Sequence, residues 1–313
     1  MYITPRIPNK CFPYFYQYER MFSIMKYGIY YAYWEKEWGG QFVPYVEKCK
    51  KLGFDALEVA CGAFHLENDQ FFRELRAAAE NNGMILTGGY GPRPEHNLAS
   101  KDEAAVEKAF GFYADIFRKM EIAGIDRIGG ALYSYWPVDF SAPMDKEGDT
   151  ARSIARMQRL ADMAADHGIM LGMESLNRFE GYMINECYEA IDYVKAVGKP
   201  NVKVMLDTFH MNIEEDSIVE AIRKAGPLLG HFHVGEANRR CPGPGGRFDW
   251  EEIGKVLKEI NYDGYVVMEP FVQMGGQVGK DISIWRDMSH GATEAMLDKD
   301  AADSVAYLRK VMG

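Results

Sequence analysis

The stretch "VKVMLDTFHMNIEED", residues 202–216, decides the fold. Its first residues form a short apolar run rich in β-branched side chains, which predicts a buried strand. Asp207 and His210 follow at the point where the apolar run stops. A buried strand that ends on ionisable side chains is typical of parallel α/β folds, which carry their reactive groups at the carboxyl ends of the strands.

The same alternation repeats along the chain from Lys26 onward. Short apolar runs alternate with longer segments of helical period, which predicts βαβ units and a parallel sheet. The segments "KKLGFD", "ENNGMI", "EIAGID" and "ADHGIM" share one order, in which a helix ends, a glycine follows and a strand begins. The candidate strands begin at Tyr27, Asp55, Met84, Ile125, Ile169, Val202, Leu228 and Tyr265.

Eight such units predict an α/β fold of the (β/α)8 TIM barrel type. A doubly wound open sheet is the alternative, although no G-x-G-x-x-G fingerprint follows the first strand. We expect a single barrel domain over residues 25–313 and an aromatic-rich N-terminal extension over residues 1–24. The extension lacks the continuous apolar core of a signal peptide. The segment after the eighth strand, residues 275–300, is long enough to serve as a lid, a site or an interface.

The composition restricts the kinds of molecule that the protein is expected to bind. The net charge of -10 and the pI near 5.3 argue against nucleic acid and anionic membranes, and favour a neutral small molecule. No apolar run reaches the roughly 18 residues of a membrane span. The five cysteines are scattered without a C-x-x-C pair, which indicates reduced thiols and a cytoplasmic protein.

Four potential metal ligands stand at the ends of consecutive predicted strands. They are Glu174, Asp207, His233 and Glu269, at intervals of 33, 26 and 36 residues, about one βα unit each. On a barrel these side chains would converge. Taken singly, each has an ordinary explanation: Asp207 before "TFH" suits a helix N-cap, and a lone histidine is more often structural. Their occurrence on four successive strands favours a shared site.

A convergent cluster of this kind implies a divalent cation. Three carboxylates within about 4 Å repel by roughly 4 kcal/mol per pair at an effective dielectric of 20, and a cation reverses that cost. Oxygen donors with one imidazole and no thiolate favour Mn²⁺ first, with Mg²⁺ or Co²⁺ as alternatives.

Further candidates surround the cluster. Glu180, His210 and Arg239 are polar candidates for substrate contacts, although Glu180 and Arg239 would also suit surface ion pairs. Aromatic candidates for a pocket wall stand near strand ends, where plain core packing is the alternative. They are Tyr30, Trp136 and Phe271.

At this level of detail the chain resembles the ketose 3-epimerases, the family of the D-psicose (D-allulose) and D-tagatose 3-epimerases, from Met25 almost to its C-terminus. The motifs that carry the resemblance are "MKYGIYYAYWEKEW", "IGGALYSYWP", "ESLNRFE", "VKVMLDTFHMNIEED", "GHFHVGEANRR", "VVMEPF" and "IWRDMS". The resemblance implies a barrel of the sugar isomerase and epimerase type. It also implies one divalent metal ion per subunit and assembly into a homodimer or homotetramer.

The resemblance also assigns residue roles. It implies that the four clustered residues bind the metal and that Glu174 and Glu269 are the catalytic acid/base pair. Glu180, His210 and Arg239 would hold the ketose near O1, O2 and O3, and the three aromatic residues would line its pocket.

The chemistry agrees with a C3 epimerase. Epimerisation beside a ketone removes a weakly acidic C–H proton, and a cation at O2 and O3 would stabilise the enediolate. We therefore predict reversible epimerisation of free ketohexoses, D-psicose with D-fructose first and D-tagatose with D-sorbose as the alternative pair. An aldose–ketose isomerase on the same barrel and a non-catalytic ketose sensor are competing hypotheses. A metal-barrel endonuclease is opposed by the acidic charge and by only seven histidines.

Overall fold

The computed structural model describes residues 25–313, which form a closed barrel of eight parallel strands in sequence order. Strand β1 pairs with both β2 and β8, so the predicted barrel is confirmed and the open sheet is excluded. The strands are β1 (Lys26–Tyr30), β2 (Ala56–Ala60), β3 (Ile85–Gly89), β4 (Arg127–Gly130), β5 (Met170–Glu174), β6 (Val202–Asp207), β7 (Leu229–Val234) and β8 (Tyr265–Met268). The predicted extension, residues 1–24, lies outside the described residues, so its boundary with the barrel stays a prediction.

Ten α-helices lie within the described residues, and most of them form the outer layer of the barrel. They are α1 (Val43–Leu52), α2 (Asp69–Asn82), α3 (Glu103–Ala123), α4 (Lys146–Ala165), α5 (Cys187–Val197), α6 (Thr208–Glu214), α7 (Ile218–Ala225), α8 (Trp250–Glu259), α9 (Gly276–Asp281) and α10 (Glu294–Met312). None of them combines the length and apolar character that crossing a bilayer requires.

The predicted glycine stops occur at the ends of three helices. Gly53, Gly83 and Gly124 follow α1, α2 and α3 with left-handed backbones, at φ of 95°, 58° and 75°. Glycine adopts this conformation without the steric cost of a Cβ atom, so each helix ends and the next strand begins within a few residues.

The opening stretch differs in one respect from the sequence interpretation, in which the sixth strand runs as "VKVMLDTFH" from Val202 to His210. Strand β6 ends at Asp207 and helix α6 begins at once, so His210 lies on a helix rather than on a strand. The cause is local, because a carboxylate oxygen of Asp207 accepts the backbone N–H of Phe209 at 2.8 Å and caps the helix. His210 consequently stands one turn beyond the strand end.

The long segment after β8 borders the mouth of the barrel, where Gln277, Asp281 and Ile282 line a cavity. It contains α9, and Asp281 at the end of that helix accepts a hydrogen bond of 2.8 Å from Nε1 of Trp38. The segment then leads into α10, which packs against α8 and α1 and completes the outer layer. The mouth is therefore bordered by two segments that are far apart in the sequence, the one after β1 and the one after β8.

Two helical glycines provide a test of this packing. A Cβ at Gly254 in α8 would lie 2.5 Å from the Cα of Met312 in α10, whereas a Cβ at Gly111 in α3 would meet nothing within 4 Å. We expect Gly254→Ala to lower the free energy of unfolding by about 1–3 kcal/mol because the two backbones must separate. Gly111→Ala, the matched control, should raise it by about 0.5–1 kcal/mol. Urea denaturation measures both, and equal effects of the two substitutions would contradict the close approach.

Candidate active site

The ends of β5 to β8 place four ionisable side chains around one point. Glu174 is the last residue of β5 and Asp207 the last of β6, and Asp207 is the pairing partner of His233 in β7. Glu269 directly follows β8, where its backbone N–H donates to the carbonyl of Val234 at 3.0 Å. Each of the four side chains offers a ligand atom, and these atoms lie within 4.8 Å of one another. The residues that the sequence predicted to converge do lie together.

Burial and like charge raise the pKa of two carboxyl groups in this cluster. For Glu174 burial is the largest cause of the raised pKa, and the charge of Glu269 adds to it. Burial also raises the pKa of Asp207, although His210 and Arg239 act in the opposite direction. A divalent cation among these oxygens would favour their ionised forms.

Arg239 brings positive charge to the cluster. It is buried, and its Nη1 donates to Glu269 at 2.8 Å and to Asp207 at 3.2 Å. Its Nη2 donates to Glu180 at 3.4 Å, and its guanidinium carbon lies 3.7 Å from the ring centroid of Phe209. The backbone of Arg239 is left-handed, at φ 63°. The carboxylates and the ring of Phe209 hold the guanidinium in place from several sides.

Asp207 uses its two oxygens for different tasks. Oδ1 caps helix α6 by accepting the N–H of Phe209, whereas Oδ2 lies 3.2 Å from Arg239 Nη1 and 3.9 Å from His210 Nε2. Both sequence interpretations of Asp207, a helix cap and a member of the cluster, therefore describe the same side chain. The cap fixes the direction in which the second oxygen points.

His210 presents a hydrogen-bond donor to the cluster. Its Nδ1 accepts the backbone N–H of Asn177 at 3.1 Å, so the proton of the neutral ring lies on Nε2. Nε2 is 3.8 Å from Glu174 and 3.9 Å from Asp207. Burial lowers the pKa of His210, which is consistent with a neutral ring.

His233 contacts a residue that the sequence did not single out. Its Nε2 lies 2.6 Å from Oε1 of Glu58, a fully buried carboxyl group in the middle of β2. Burial alone would raise the pKa of Glu58, but the charges of His233 and His231 outweigh it and lower that pKa. Nδ1 of His233 faces the cluster, 3.5 Å from Glu269, and has no hydrogen-bond partner within residues 25–313.

The cluster opens into a cavity of about 580 Å³. A cavity of this size holds a small organic molecule. The three predicted aromatic residues line it, and Tyr30 and Phe271 meet edge to face at 6.2 Å between ring centroids. Trp38 completes the wall, with its ring centroid 6.1 Å from that of Trp136 and 6.2 Å from that of Phe271.

The structure brings all ten predicted site residues to this region, and nine of them line the cavity directly. The exception is Asp207, which is buried behind Arg239 and belongs to the cluster without lining the cavity. Sequence reasoning missed Glu58, Asn177 and Trp38. A signal existed for Glu58, because "ALEVA" interrupts an apolar strand with one acidic residue, and for Trp38, because "EWGG" lies in the connection between β1 and α1, on the side of the strand where reactive groups are expected.

The cluster fits a divalent cation. Its donors are three carboxylates and one imidazole without a thiolate, the set expected for a hard ion. The buried Nδ1 of His233 also lacks any other partner among the described residues, as a ligand nitrogen would. The charge, the spacing and the unpartnered nitrogen all agree with one metal site.

Comparison with known proteins identifies the family. Residues 46–289 match the family model described as the xylose isomerase-like TIM barrel. The D-psicose 3-epimerase of Agrobacterium fabrum is 53% identical over 289 residues, which cover 92% of this chain and 100% of that protein. The chain belongs to the D-psicose 3-epimerase family. The D-psicose 3-epimerase of Enterocloster bolteae, 49% identical, covers 92% of this chain and 96% of its own length.

A solved structure of this family has the same architecture. The D-psicose 3-epimerase from Clostridium cellulolyticum H10, crystallised with D-tagatose, aligns with a TM-score of 0.91 at 51% identity over 92% of this chain and 99% of that one. The family that the sequence predicted is therefore confirmed, together with its barrel.

The two tasks of Asp207 can be separated by substitution. Asparagine caps helices about as well as aspartate, whereas alanine does not, and both replacements remove the charge. We expect Asp207→Ala to have a free energy of unfolding about 1 kcal/mol lower than Asp207→Asn, measured by urea denaturation with chelator present. Equal stability of the two variants would show that the cap contributes nothing to this epimerase fold.

Proposed function

We propose that this protein catalyses the reversible epimerisation of free ketohexoses at C3, with D-psicose and D-fructose as the preferred pair. The observation that carries the proposal is the pair Glu174 and Glu269, two carboxylates at the carboxyl ends of β5 and β8 that share one buried cluster. The family of this chain supports it, because close relatives are D-psicose 3-epimerases.

The reaction needs two proton-transfer groups. Inverting C3 requires that one group removes the proton from one face of the carbon and another returns a proton to the opposite face. Glu174 and Glu269 approach the cavity from strands separated by β6 and β7, so each reaches a substrate from its own side. The two glutamates exchange their roles when the reaction reverses.

Four side chains would hold the metal: Glu174, Asp207, His233 and Glu269. When bound, a divalent cation supplies Lewis acidity that makes the C3 proton more acidic and favours the cis-enediolate of the sugar. We propose Mn²⁺ as the ion because the donors are mostly carboxylate oxygens, with Co²⁺ or Mg²⁺ as alternatives.

The remaining polar residues orient the ketose. Arg239 and His210 each present an N–H group toward the cluster, and Glu180 offers acceptor oxygens beside Arg239. We assign these three residues to the oxygens O1 to O3 of the sugar. Tyr30, Trp136 and Phe271 would cover its apolar faces and exclude water from the reacting carbon.

The charge of the cavity favours a neutral sugar over a sugar phosphate. Of the two arginines that line it, Arg239 is already engaged by three carboxylates, which leaves Arg93 alone near the entrance. A phosphate group is normally bound by several donors or cations converging on it.

Assembly and location complete the proposal. We propose a homodimer or homotetramer, because exposed apolar side chains such as Trp285 and Phe179, each 72% exposed, would be covered in an assembly. We propose a cytoplasmic location, because the four described cysteines are free thiols and such thiols persist in a reducing compartment.

Isotope exchange tests the proton transfer. Incubating the metal-supplemented protein with D-psicose in deuterated water should give D-fructose with deuterium at C3, because the removed proton exchanges with solvent. Glu174→Gln and Glu269→Gln should each reduce turnover by at least about 10²-fold, the usual contribution of an acid/base group. Glu47→Gln, an exposed residue of α1, is the matched control and should retain full activity.

The products of that experiment also separate the competing functions. Aldose products labelled at C2 would identify an aldose–ketose isomerase. Saturable ketose binding without any turnover would identify a sugar-binding barrel. Product that carries no deuterium at C3 would contradict proton transfer through these glutamates.

Metal removal tests the cluster. After treatment with chelator, we expect activity to be lost and to return on addition of Mn²⁺. At a metal concentration of 100 times the dissociation constant, binding should stabilise the fold by about 2.7 kcal/mol and raise the melting temperature. Asp207→Asn should lose most of this shift because it replaces a charged carboxylate ligand with a neutral amide. An equal shift in Asp207→Asn and in the parent protein would place the metal elsewhere.

A further inference from the structure

Glu58 is a buried charge to which the proposed reaction assigns no task. It lies in the middle of β2, is 1% exposed and pairs in register with Tyr30 of β1 and Thr87 of β3. Desolvating a carboxylate costs several kcal/mol unless close partners compensate. A residue of this kind inside an apolar strand therefore calls for a specific partner.

Three side chains lie close to the carboxylate of Glu58, but only two of them form hydrogen bonds with it. Oε1 lies 2.6 Å from Nε2 of His233, and Oε2 accepts the hydroxyl of Thr87 at 2.8 Å. Nε2 of His231 is also 2.8 Å from Oε2, but it is not aligned for a hydrogen bond and has no such partner among the described residues. The carboxylate therefore directs Oε1 at His233, while Oε2 accepts from Thr87.

This contact determines which nitrogen of His233 carries the proton. An ionised carboxylate only accepts hydrogen bonds, so Nε2 must donate a proton to Glu58. In the neutral ring Nδ1 then carries the lone pair, and Nδ1 is the nitrogen that faces Glu269 and the cluster. Without Glu58 the ring would be free to rotate or to place its proton on Nδ1, where it would repel a cation.

We infer that Glu58 is a positioning residue for the metal site: it fixes the tautomer and orientation of His233 so that Nδ1 binds the cation. The inference rests on the metal site of the proposed function. It concerns metal affinity and does not require Glu58 to contact the sugar or the metal.

A second metal ion between Glu58, His231 and His233 is the competing interpretation, because their ligand atoms also lie within 4.8 Å of one another. The contacts argue for a hydrogen bond instead, since 2.6 Å between Nε2 of His233 and Oε1 of Glu58 is the distance of a direct, charge-assisted hydrogen bond. The two interpretations differ in metal stoichiometry. We expect one cation per chain.

Substitution of Glu58 tests the inference. Glu58→Met keeps the length of the side chain but removes the acceptor, and should weaken Mn²⁺ binding by about 10- to 100-fold, measured by titration calorimetry on the full chain. Glu58→Gln retains an acceptor oxygen for His233, because the hydroxyl of Thr87 can rotate to accept from the new amide. It should therefore recover most of the lost affinity.

Thr87→Val is the matched control for barrel packing. It removes a hydrogen bond to the same carboxylate on the oxygen that does not face His233. We expect its Mn²⁺ affinity to stay within about 3-fold of the parent value. The loss of this one hydrogen bond should change metal affinity less than a misplaced ligand nitrogen does. A parallel loss of affinity in Thr87→Val and Glu58→Met would mean that Glu58 is only structural, which overturns the inference.

A measurement on the unsubstituted protein decides the case even if Glu58→Met does not fold. In the Mg²⁺-loaded chain, ¹⁵N NMR of His233 should show a protonated Nε2 and an unprotonated, metal-perturbed Nδ1. A proton on Nδ1, or two cations per chain, would overturn the inference. If the parent chain binds no divalent cation, the proposed metal site itself fails. If the parent binds one and Glu58→Met binds it equally well, only the task of Glu58 fails.

Discussion

The structure depends on holding three carboxylates and one imidazole at a single buried point. Closing the barrel brings the ends of β5 to β8 side by side, so Glu174, Asp207, His233 and Glu269 cannot move apart without opening the sheet. The repulsion among the acids is opposed by Arg239. A divalent cation would oppose it more strongly. The core of the barrel thus maintains an arrangement that the charges alone would disperse.

Several side chains in this region serve structure and site at once. Asp207 caps α6 with one oxygen and faces the cluster with the other. Asn177 donates its backbone N–H to His210 and thereby places the donor of that ring toward the cluster. The carboxylate of Glu58 accepts a hydrogen bond from Nε2 of His233. Each contact fixes a direction as well as a distance, which is what a pre-organised site needs, because a misplaced proton or ring would remove the ligand.

The relatives place this site in context. The D-psicose 3-epimerases match over 92% of the chain, and residues 46–289, which match the family model, include all four members of the cluster. The cavity is larger than the cluster requires, and Trp38, Trp136 and Phe271 form an aromatic wall on one part of it. This arrangement suits a small polar substrate whose reacting carbon must be shielded from water while its far end extends toward the entrance.

The sequence by itself determined the fold and the members of the cluster. Eight apolar runs of strand length, separated by segments of helical period, predict a closed barrel. Residues at the strand ends, such as Glu174 and Asp207, can be recognised from their positions in the sequence. Tertiary structure decided which atoms meet. Glu58 and His233 are 175 residues apart, and only barrel closure and strand register bring their side chains into contact. Asp207 caps α6 with one oxygen and faces the cluster with the other, and this arrangement likewise depends on the angle at which α6 leaves β6. Sequence patterns record spacing along the chain, whereas contacts across the barrel depend on register and direction in three dimensions.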